Sequence, residues 1–391
     1  MGSRTGQEQA ARRTLRAAKQ HTRRGFLTRA ALLGTAASIG PWFVRDALSS
    51  SGELNWFTWD DYEPKPFVEQ FTKDTGIKLN MQIFTGNEEA LNKMRSSRGV
   101  GVDLVTPGLA WVSAGVDFDL YQPVDIKRVK NYGNIQPDLA GRADRLGGRR
   151  DGKIYAVPFT WSTESLALHN SVPGAALGTS YGILWNPQYA GKVTARARTL
   201  LLATGLWMEG EGKMEPGSMQ RAFGNEELMK KAYGQTLAHA IANKKQIQQF
   251  WLKGAEQKAA FLQNGCTVGM AWDSILFGLI NEKNPLKFFA PKEGALTVMD
   301  THALSKAAKN KAQAYAFIDW SLQAKIGGLM TNNVGYNSVV TGANQFYGDA
   351  YKAFFAAAYP GDAESRLFIQ GTEHPWFIAE RQRMVDRLMA A

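Results

Sequence analysis

The chain has 391 residues, of which 44% are hydrophobic, so it can bury a large core, and its length favours two domains. Its formal net charge is +11, but residues 1–47 alone carry 9 Lys or Arg against 2 Asp or Glu. The remaining 344 residues hold 37 basic and 33 acidic side chains, an excess too small to favour nucleic acid as a partner. The single cysteine, Cys266, excludes an intramolecular disulfide and is interpreted as a small core residue.

A basic segment followed by a short apolar run opens the chain. Arg23 and Arg24 stand just before Gly25-Phe26-Leu27, and residues 30–44 carry no charge. This run of about 15 residues is shorter than the roughly 20 that a membrane-spanning helix needs. The layout predicts an export signal of the twin-arginine type over residues 1–47, which carries a protein to the periplasm already folded. The sequence leaves two outcomes open for this segment: a signal peptidase removes it, or it stays on the protein as a membrane anchor.

The predicted elements after this signal begin with a strand–helix–strand unit. The strand "ELNWFTW" ends near Trp59, the helix has Pro66 in its first turn and Gly76 as its stop, and "IKLNMQIF" alternates as a second strand. "NEEALNKMRSS" predicts a helix, "GVDLVTPG" a short buried strand and "GKIYAVPFTWSTESLALHN" two more strands.

The middle of the chain, from about residue 178 to 270, is predicted to be mostly helical, with helices in "NEELMKKAYGQTLAHAI" and "GAEQKAAFLQNG". "TVGMAWDS" and "LKFFAPKEGALTVMDTHAL" return as strands, and a helical C-terminal third begins near Ala307. Alternating β and α elements over this length predict an α/β protein of two lobes.

Ligands of open α/β sheets bind beyond the carboxyl ends of the strands, and several predicted strands end in aromatic or acidic residues. Trp59 and the acids after it follow the first strand, Trp272 and Asp273 follow "GMA", and Asp300 ends "ALTVMD". Ring faces attract cations and carboxylates accept hydrogen bonds from ammonium groups. These residues therefore predict a site for an organic cation.

The sequence from about Leu54 onward resembles the spermidine/putrescine-binding proteins of bacterial ABC importers. The resemblance is carried by "WDDYEPKPFVEQFTKDTGIKL", "VDLVTPG", "LWNPQYAGK", "GMAWDS", "FFAPKEGALTVMDTHALSKAAKNKAQAYAFIDW" and "NVGYN". It implies the type II periplasmic-binding-protein fold, with a ligand cleft between two lobes that close by hinge bending. The expected lobes are residues 53–158 with 299–345, and residues 159–298 with 346–391. It also implies a permease partner, no cofactor or metal, and a monomer.

The resemblance implies roles for six residues that are retained at the family's ligand-binding positions. An aromatic pair would pack on the ligand chain, and two acids would bind an ammonium group. The six residues are Trp59, Asp61, Tyr62, Trp272, Asp300 and Tyr336. Gly108 also falls in the site, where the family has a serine.

The half of the site that would hold a second amine departs from the family. Ala197 and Arg198 stand where the family has paired aspartates, and Leu201 stands where it has a glutamate. An ammonium facing Arg198 in a partly desolvated cleft would meet like charge.

Two ligand classes follow from this departure. In the first, the ligand is a polyamine, and Asp60, Glu164 or Asp273 substitutes for the missing acids. In the second, it is a zwitterionic or monocationic amine, with its ammonium on Asp300 and any anionic group on Arg196 or Arg198, since arginine suits bidentate contact with such groups.

An enzymatic function is disfavoured, because the histidines lack metal-type spacing and the chain has neither a Gly-x-Ser-x-Gly turn nor a phosphate-binding loop. We predict no catalytic residues. A ligand-sensing partner of a membrane receptor is an alternative to transport that uses the same fold, and adjacent permease and ATPase genes would favour transport.

Arg23→Lys combined with Arg24→Lys should stop export, because a twin-arginine receptor reads the pair itself and not only its charge. The measurement is the amount of protein in the periplasmic fraction compared with wild type. Normal accumulation of the double variant would favour a general secretory signal instead.

Overall fold

The structure is a computed structural model that describes residues 52–62, 65–173 and 179–391. The predicted export signal, with Arg23 and Arg24, lies outside the described residues. Among the helices that are described, none is both long and apolar enough to cross a membrane.

Strands and helices alternate along most of the described chain. The strands are β1 Glu53–Trp59, β2 Lys78–Phe84, β3 Leu104–Val105, β4 Tyr121–Gln122, β5 Arg149–Arg150, β6 Lys153–Ile154, β7 Val157–His169, β8 Val193–Ala195, β9 Ile247–Phe250, β10 Val268–Trp272, β11 Leu286–Phe289, β12 Leu296–Ser305, β13 Asn337–Ser338 and β14 Phe368–Ile369. The helices are α1 Lys65–Thr75, α2 Asn87–Ser97, α3 Val112–Asp117, α4 Pro137–Ala143, α5 Ala197–Gly210, α6 Ser218–Arg221, α7 Glu226–Ala242, α8 Gly254–Leu262, α9 Asp273–Asn281, α10 Lys311–Ser321, α11 Ala324–Val334, α12 Asp349–Ala358 and α13 Pro375–Ala390.

The predicted strand–helix–strand unit is confirmed, because β1 and β2 are parallel neighbours joined through α1. The strands predicted in the two later segments are also present, as β10, β11 and β12. The short strands β8 and β9, inside the segment that was predicted to be mostly helical, were missed. Their three or four residues are too few for the alternation that marks a strand in sequence.

One long strand, β12, links the two halves of the sheet. The sheet order is β2-β1-β3-β12-β7-β10-β8-β9. Residues Leu296 to His302 of β12 pair antiparallel with β7, whereas Ala303 and Leu304 pair antiparallel with β3. The register shifts between Asp300 and Thr301, next to the change of partner. Such irregularities bend a strand and re-aim its side chains.

Each half of the sheet has its own hydrophobic core. On the β1 side, Phe57, Phe84 and Trp111 belong to one buried cluster. On the β10 side, helices α5, α7 and α13 supply much of a larger cluster. Two expected lobe boundaries coincide with long strands, since 158/159 lies in β7 and 298/299 lies in β12. Separate cores on the two sides leave the strand ends between them free to line a cleft.

Candidate functional site

A cleft lies where β12 passes from one half of the sheet to the other. Its aromatic and charged lining residues come from both halves. They are Trp59, Asp61, Trp111, Arg142, Trp161, Glu164, Arg196, Arg198, Trp272, Asp300, Tyr336 and Glu373.

Two carboxylates occupy one end of the cleft, and each is held by a tyrosine. Asp61 lies in the 3-10 turn that directly follows β1, and its Oδ2 accepts a 2.5 Å hydrogen bond from the Tyr336 hydroxyl. Asp300 lies in β12, and its Oδ2 accepts a 2.9 Å hydrogen bond from the Tyr62 hydroxyl. Tyr62 and the Thr160 hydroxyl are hydrogen-bonded in turn. The tyrosines therefore fix the direction in which both acids face.

Burial makes this pair of acids reluctant to carry two negative charges. The pKa of Asp300 is raised to about 7, chiefly by burial; the hydrogen bond from Tyr62 opposes this rise and the nearby charge of Asp61 adds to it. Burial also raises the pKa of Asp61, against the hydrogen bond from Tyr336. A cation placed between the carboxylates would relieve both effects, because opposite charge favours the ionised form.

Two tryptophans line the cleft and are partly exposed there, Trp59 beside the acid pair and Trp272 towards the other end. Trp59 packs against Phe84 with ring centroids 4.7 Å apart, and Trp272 meets Trp251 edge-on at 5.1 Å. The face of Trp59 can supply cation–π attraction to an alkylammonium ligand.

The opposite end of the cleft is built on the start of helix α5. Strand β8 runs directly into this helix, Arg196 occupies its N-cap position, and no side chain caps it. The Arg196 side chain is 7% exposed and lies near the rings of Trp251 and Trp272, 5.8 and 5.4 Å from their centroids. Burial lowers the pKa of Arg196 to about 9, and the positive charge of Arg198 contributes.

The other ionic groups around this end are paired. Arg198 Nη1 lies 3.5 Å from Glu88 Oε1, and Arg381 Nη2 lies 3.5 Å from the same oxygen. Arg381 Nη1 also contacts Glu373 Oε1 at 2.5 Å. Because Glu88 belongs to α2 and both arginines to helices packed on the other half of the sheet, this network crosses the cleft.

Glu164, in β7, is a buried acid whose charge interacts with that of Arg196. Its side chain is 2% exposed, and its Oε1 accepts a hydrogen bond from the Thr199 hydroxyl. Burial raises the pKa of Glu164, and the positive charge of Arg196 opposes that rise.

The nine residues predicted to bind the ligand are the six retained family residues together with Gly108, Arg198 and Asp273. Seven of them line the cleft, and Tyr62 and Asp273 do not. The seven are Trp59, Asp61, Gly108, Arg198, Trp272, Asp300 and Tyr336. Tyr62 is fully buried and reaches the cleft only through its bond to Asp300.

Asp273 points away from the cleft, because it is the first residue of α9 and its carboxylate satisfies buried donors. It accepts hydrogen bonds from the backbone N–H groups of Thr163 and Ser274 and from the Tyr359 hydroxyl. Asp60 is exposed and is also outside the cleft lining. Of the three predicted substitute acids, Glu164 alone lines it.

Sequence reasoning missed Glu88, Glu373 and Arg381. The last two lie more than 170 residues from the start of α5, so no local pattern connects them with it.

The two side chains considered for a catalytic role, Cys266 and His302, both lie in buried surroundings. Cys266 is buried, and burial raises the pKa of its thiol to about 11. His302, two residues after Asp300, is fully buried in the aromatic core. Within the described ranges, no group of three or more His, Cys, Asp or Glu could hold a metal ion.

Comparisons with known proteins agree on one family. Residues 67–357 match the family described as bacterial extracellular solute-binding protein. A spermidine/putrescine-binding periplasmic protein of Escherichia coli K12 is 25% identical over 286 residues, covering 72% of this chain and 76% of that protein. The putrescine-binding periplasmic protein PotF of the same organism is 23% identical over 338 residues, covering 82% and 87%.

A solved structure supports the fold. The spermidine/putrescine ABC transporter substrate-binding protein PotD of Streptococcus pneumoniae superposes with a TM-score of 0.69 at 20% identity, covering 86% of this chain and 98% of that one. The predicted two-lobed α/β fold of type II is therefore confirmed, as is the predicted resemblance.

Asp61→Asn should lower the pKa of Asp300 from about 7, because the substitution removes the neighbouring negative charge that helps to raise it. The measurement is a carboxyl carbon NMR titration of the unliganded protein. Asp60→Asn removes an exposed acid outside the cleft and is the matched control, which should leave the pKa of Asp300 near its original value. An unchanged pKa in Asp61→Asn would contradict the coupling of the two acids.

Proposed function

The chain belongs to the family of bacterial extracellular solute-binding proteins, and we propose that it captures a small organic amine for a membrane permease of an ABC importer. Proteins of this family bind solutes and do not catalyse reactions. The observation that carries the proposal is the acid pair Asp61 and Asp300, which lines one end of the cleft together with Trp59.

The acid pair matches the chemistry of a primary ammonium group. Three N–H donors can reach carboxylate oxygens of both Asp61 and Asp300, while Tyr62 and Tyr336 hold these acids from behind. Burial disfavours the ionised forms of both Asp61 and Asp300, and the positive charge of a bound ammonium group would stabilise these ionised forms. Trp59 then packs against the alkyl chain next to the ammonium group.

Polyamines are the first candidate ligands, because the relatives are named for spermidine and putrescine. A polyamine would also need an acceptor at the far end of the cleft. Glu164 is the predicted substitute acid that lines this end. An amine that carries an anionic group is the second candidate, because the buried cation Arg196 lines the same end of the cleft.

The relatives are periplasmic proteins, which places the proposed capture step outside the cytoplasmic membrane. The arginine pair Arg23 and Arg24 supports export of the folded protein by the twin-arginine route. The proposed lobes, residues 53–158 with 299–345 and 159–298 with 346–391, would close on the ligand as a monomer and present it to the permease.

Asp300→Asn should raise the dissociation constant of every amine that binds by more than about tenfold, because it removes one partner of a desolvated charge pair. Calorimetry with putrescine, spermidine and ω-amino acids provides the measurement. Wild-type affinity should also fall roughly tenfold for each pH unit below about 7, because Asp300 then takes up a proton.

The Asn variant should lose this pH dependence, which distinguishes loss of the charge from general damage to the fold. Asp60→Asn serves as the control and should bind as wild type does. Binding that survives Asp300→Asn with its pH dependence intact would overturn the proposed site.

A further inference from the structure

We propose that the far end of the cleft binds an anionic group, so that the ligand is a short chain with an ammonium at one end and a carboxylate or phosphonate at the other. This inference rests on the proposed function for its ammonium end. Its own evidence comes from Arg196 and helix α5, which lie apart from the acid pair.

Arg196 is a buried cation whose Nε lacks a hydrogen-bond partner. The residue is 7% exposed, and no carboxylate oxygen of the described residues lies within ion-pair distance of its guanidinium. Burying a guanidinium in this state is costly. The residue lines the cleft, so an anion entering there would satisfy its donors.

Other cations that line the cleft are already engaged. Arg142 pairs with Asp138 at 2.8 Å, and Arg198 pairs with Glu88 at 3.5 Å. Arg196 differs from these two arginines because it has no carboxylate partner among the described residues. Trp251 and Trp272 hold its guanidinium by their rings, which leaves its donors free.

Helix α5 adds a second source of positive potential at the same place. It is 14 residues long, it has no acidic residue in its first turn, and no side chain caps it. The N–H groups and dipole at the start of a helix favour anions. Arg196, Arg198 and Thr199 from this start all line the cleft, so the helix end faces the ligand space.

Glu164 and Glu373 are the acids of the lining that could instead favour a second ammonium. Glu373 Oε1 is paired with Arg381, and its Oε2 has no hydrogen-bond partner. The Glu164 carboxylate already accepts a hydrogen bond from Thr199, and burial raises its pKa. An ammonium drawn to Glu164 would also meet Arg196, Arg198 and the positive end of α5 at low dielectric. A carboxylate or phosphonate meets these groups with opposite charge and can bind a guanidinium through two oxygens.

The first arm of the test compares ligands of equal length. Putrescine is matched with 4-aminobutanoate, cadaverine with 5-aminopentanoate, and 1,6-diaminohexane with 6-aminohexanoate, with 3-aminopropylphosphonate as a further anion. At the best length, the ω-amino acid should bind more than about tenfold tighter than its diamine by calorimetry. A diamine that binds equally well or more tightly at each length would overturn the inference while leaving the proposed function standing.

The second arm uses variants at both charges of the far end. Arg196→Gln should weaken the best ω-amino acid by more than about tenfold, and Arg196→Lys should retain part of that affinity. Glu164→Gln should leave this ligand bound. The exposed Arg221, paired with Glu215, gives Arg221→Gln as the matched control that should change nothing.

Thermal unfolding checks that each variant is folded. If Arg196→Gln does not fold, the comparison of ligands of equal length and the affinity of Arg196→Lys test the inference instead. Unchanged affinity in Arg196→Gln, together with a tenfold loss of diamine binding in Glu164→Gln, would overturn the inference. Failure of every amine to bind, or binding that is insensitive to Asp300→Asn, would instead overturn the proposed function.

Discussion

The pairing of β12 with both halves of the sheet is the constraint on which the site depends. Up to His302 the strand follows β7, and from Ala303 it follows β3, with a register shift next to Asp300. Gly108, in the loop after β3, forms an isolated antiparallel β-bridge with Asp300. Asp300 thus lies at the junction between the two halves, and its backbone is held from both.

Burial disfavours the charged form of a side chain at each end of the cleft, a carboxylate at one end and a guanidinium at the other. At the acidic end, burial raises the pKa of Asp300 to about 7, so this carboxyl is only partly ionised near neutral pH. At the other end, burial lowers the pKa of Arg196 to about 9. Groups kept in an unfavourable state in the free protein are the ones that a complementary ligand relieves. At this second end, Glu88 pairs with Arg198 and Arg381 and so links helices that pack on the two halves of the sheet.

Much of the acidic end could be predicted from the sequence, because local rules place it. A strand that ends at Trp59 in an open α/β sheet puts the next acids at the binding edge, and Asp61 lies there. The same rule failed for Asp273, since an acid that begins a helix can turn back to buried backbone N–H groups, as it does here. The rule describes where a strand ends and does not fix the direction of each side chain.

The far end could be predicted only in part. The sequence showed that arginines replace the expected acids, and it favoured Arg198 over Arg196 as the ligand-binding residue. Their difference comes from Glu88, which belongs to a helix 110 residues away in sequence and pairs with Arg198. Arg381 and Glu373 from the C-terminal segment complete the network. Such long-range pairings follow from the tertiary fold and leave no local signal.

A crystal structure of the protein with a bound amine would show whether the acid pair holds the ammonium group. We expect the ligand nitrogen to lie about 3 Å from carboxylate oxygens of both Asp61 and Asp300, with the alkyl chain along Trp59. A ligand whose ammonium group lies elsewhere, with Asp61 and Asp300 contacting only Tyr336 and Tyr62, would contradict it.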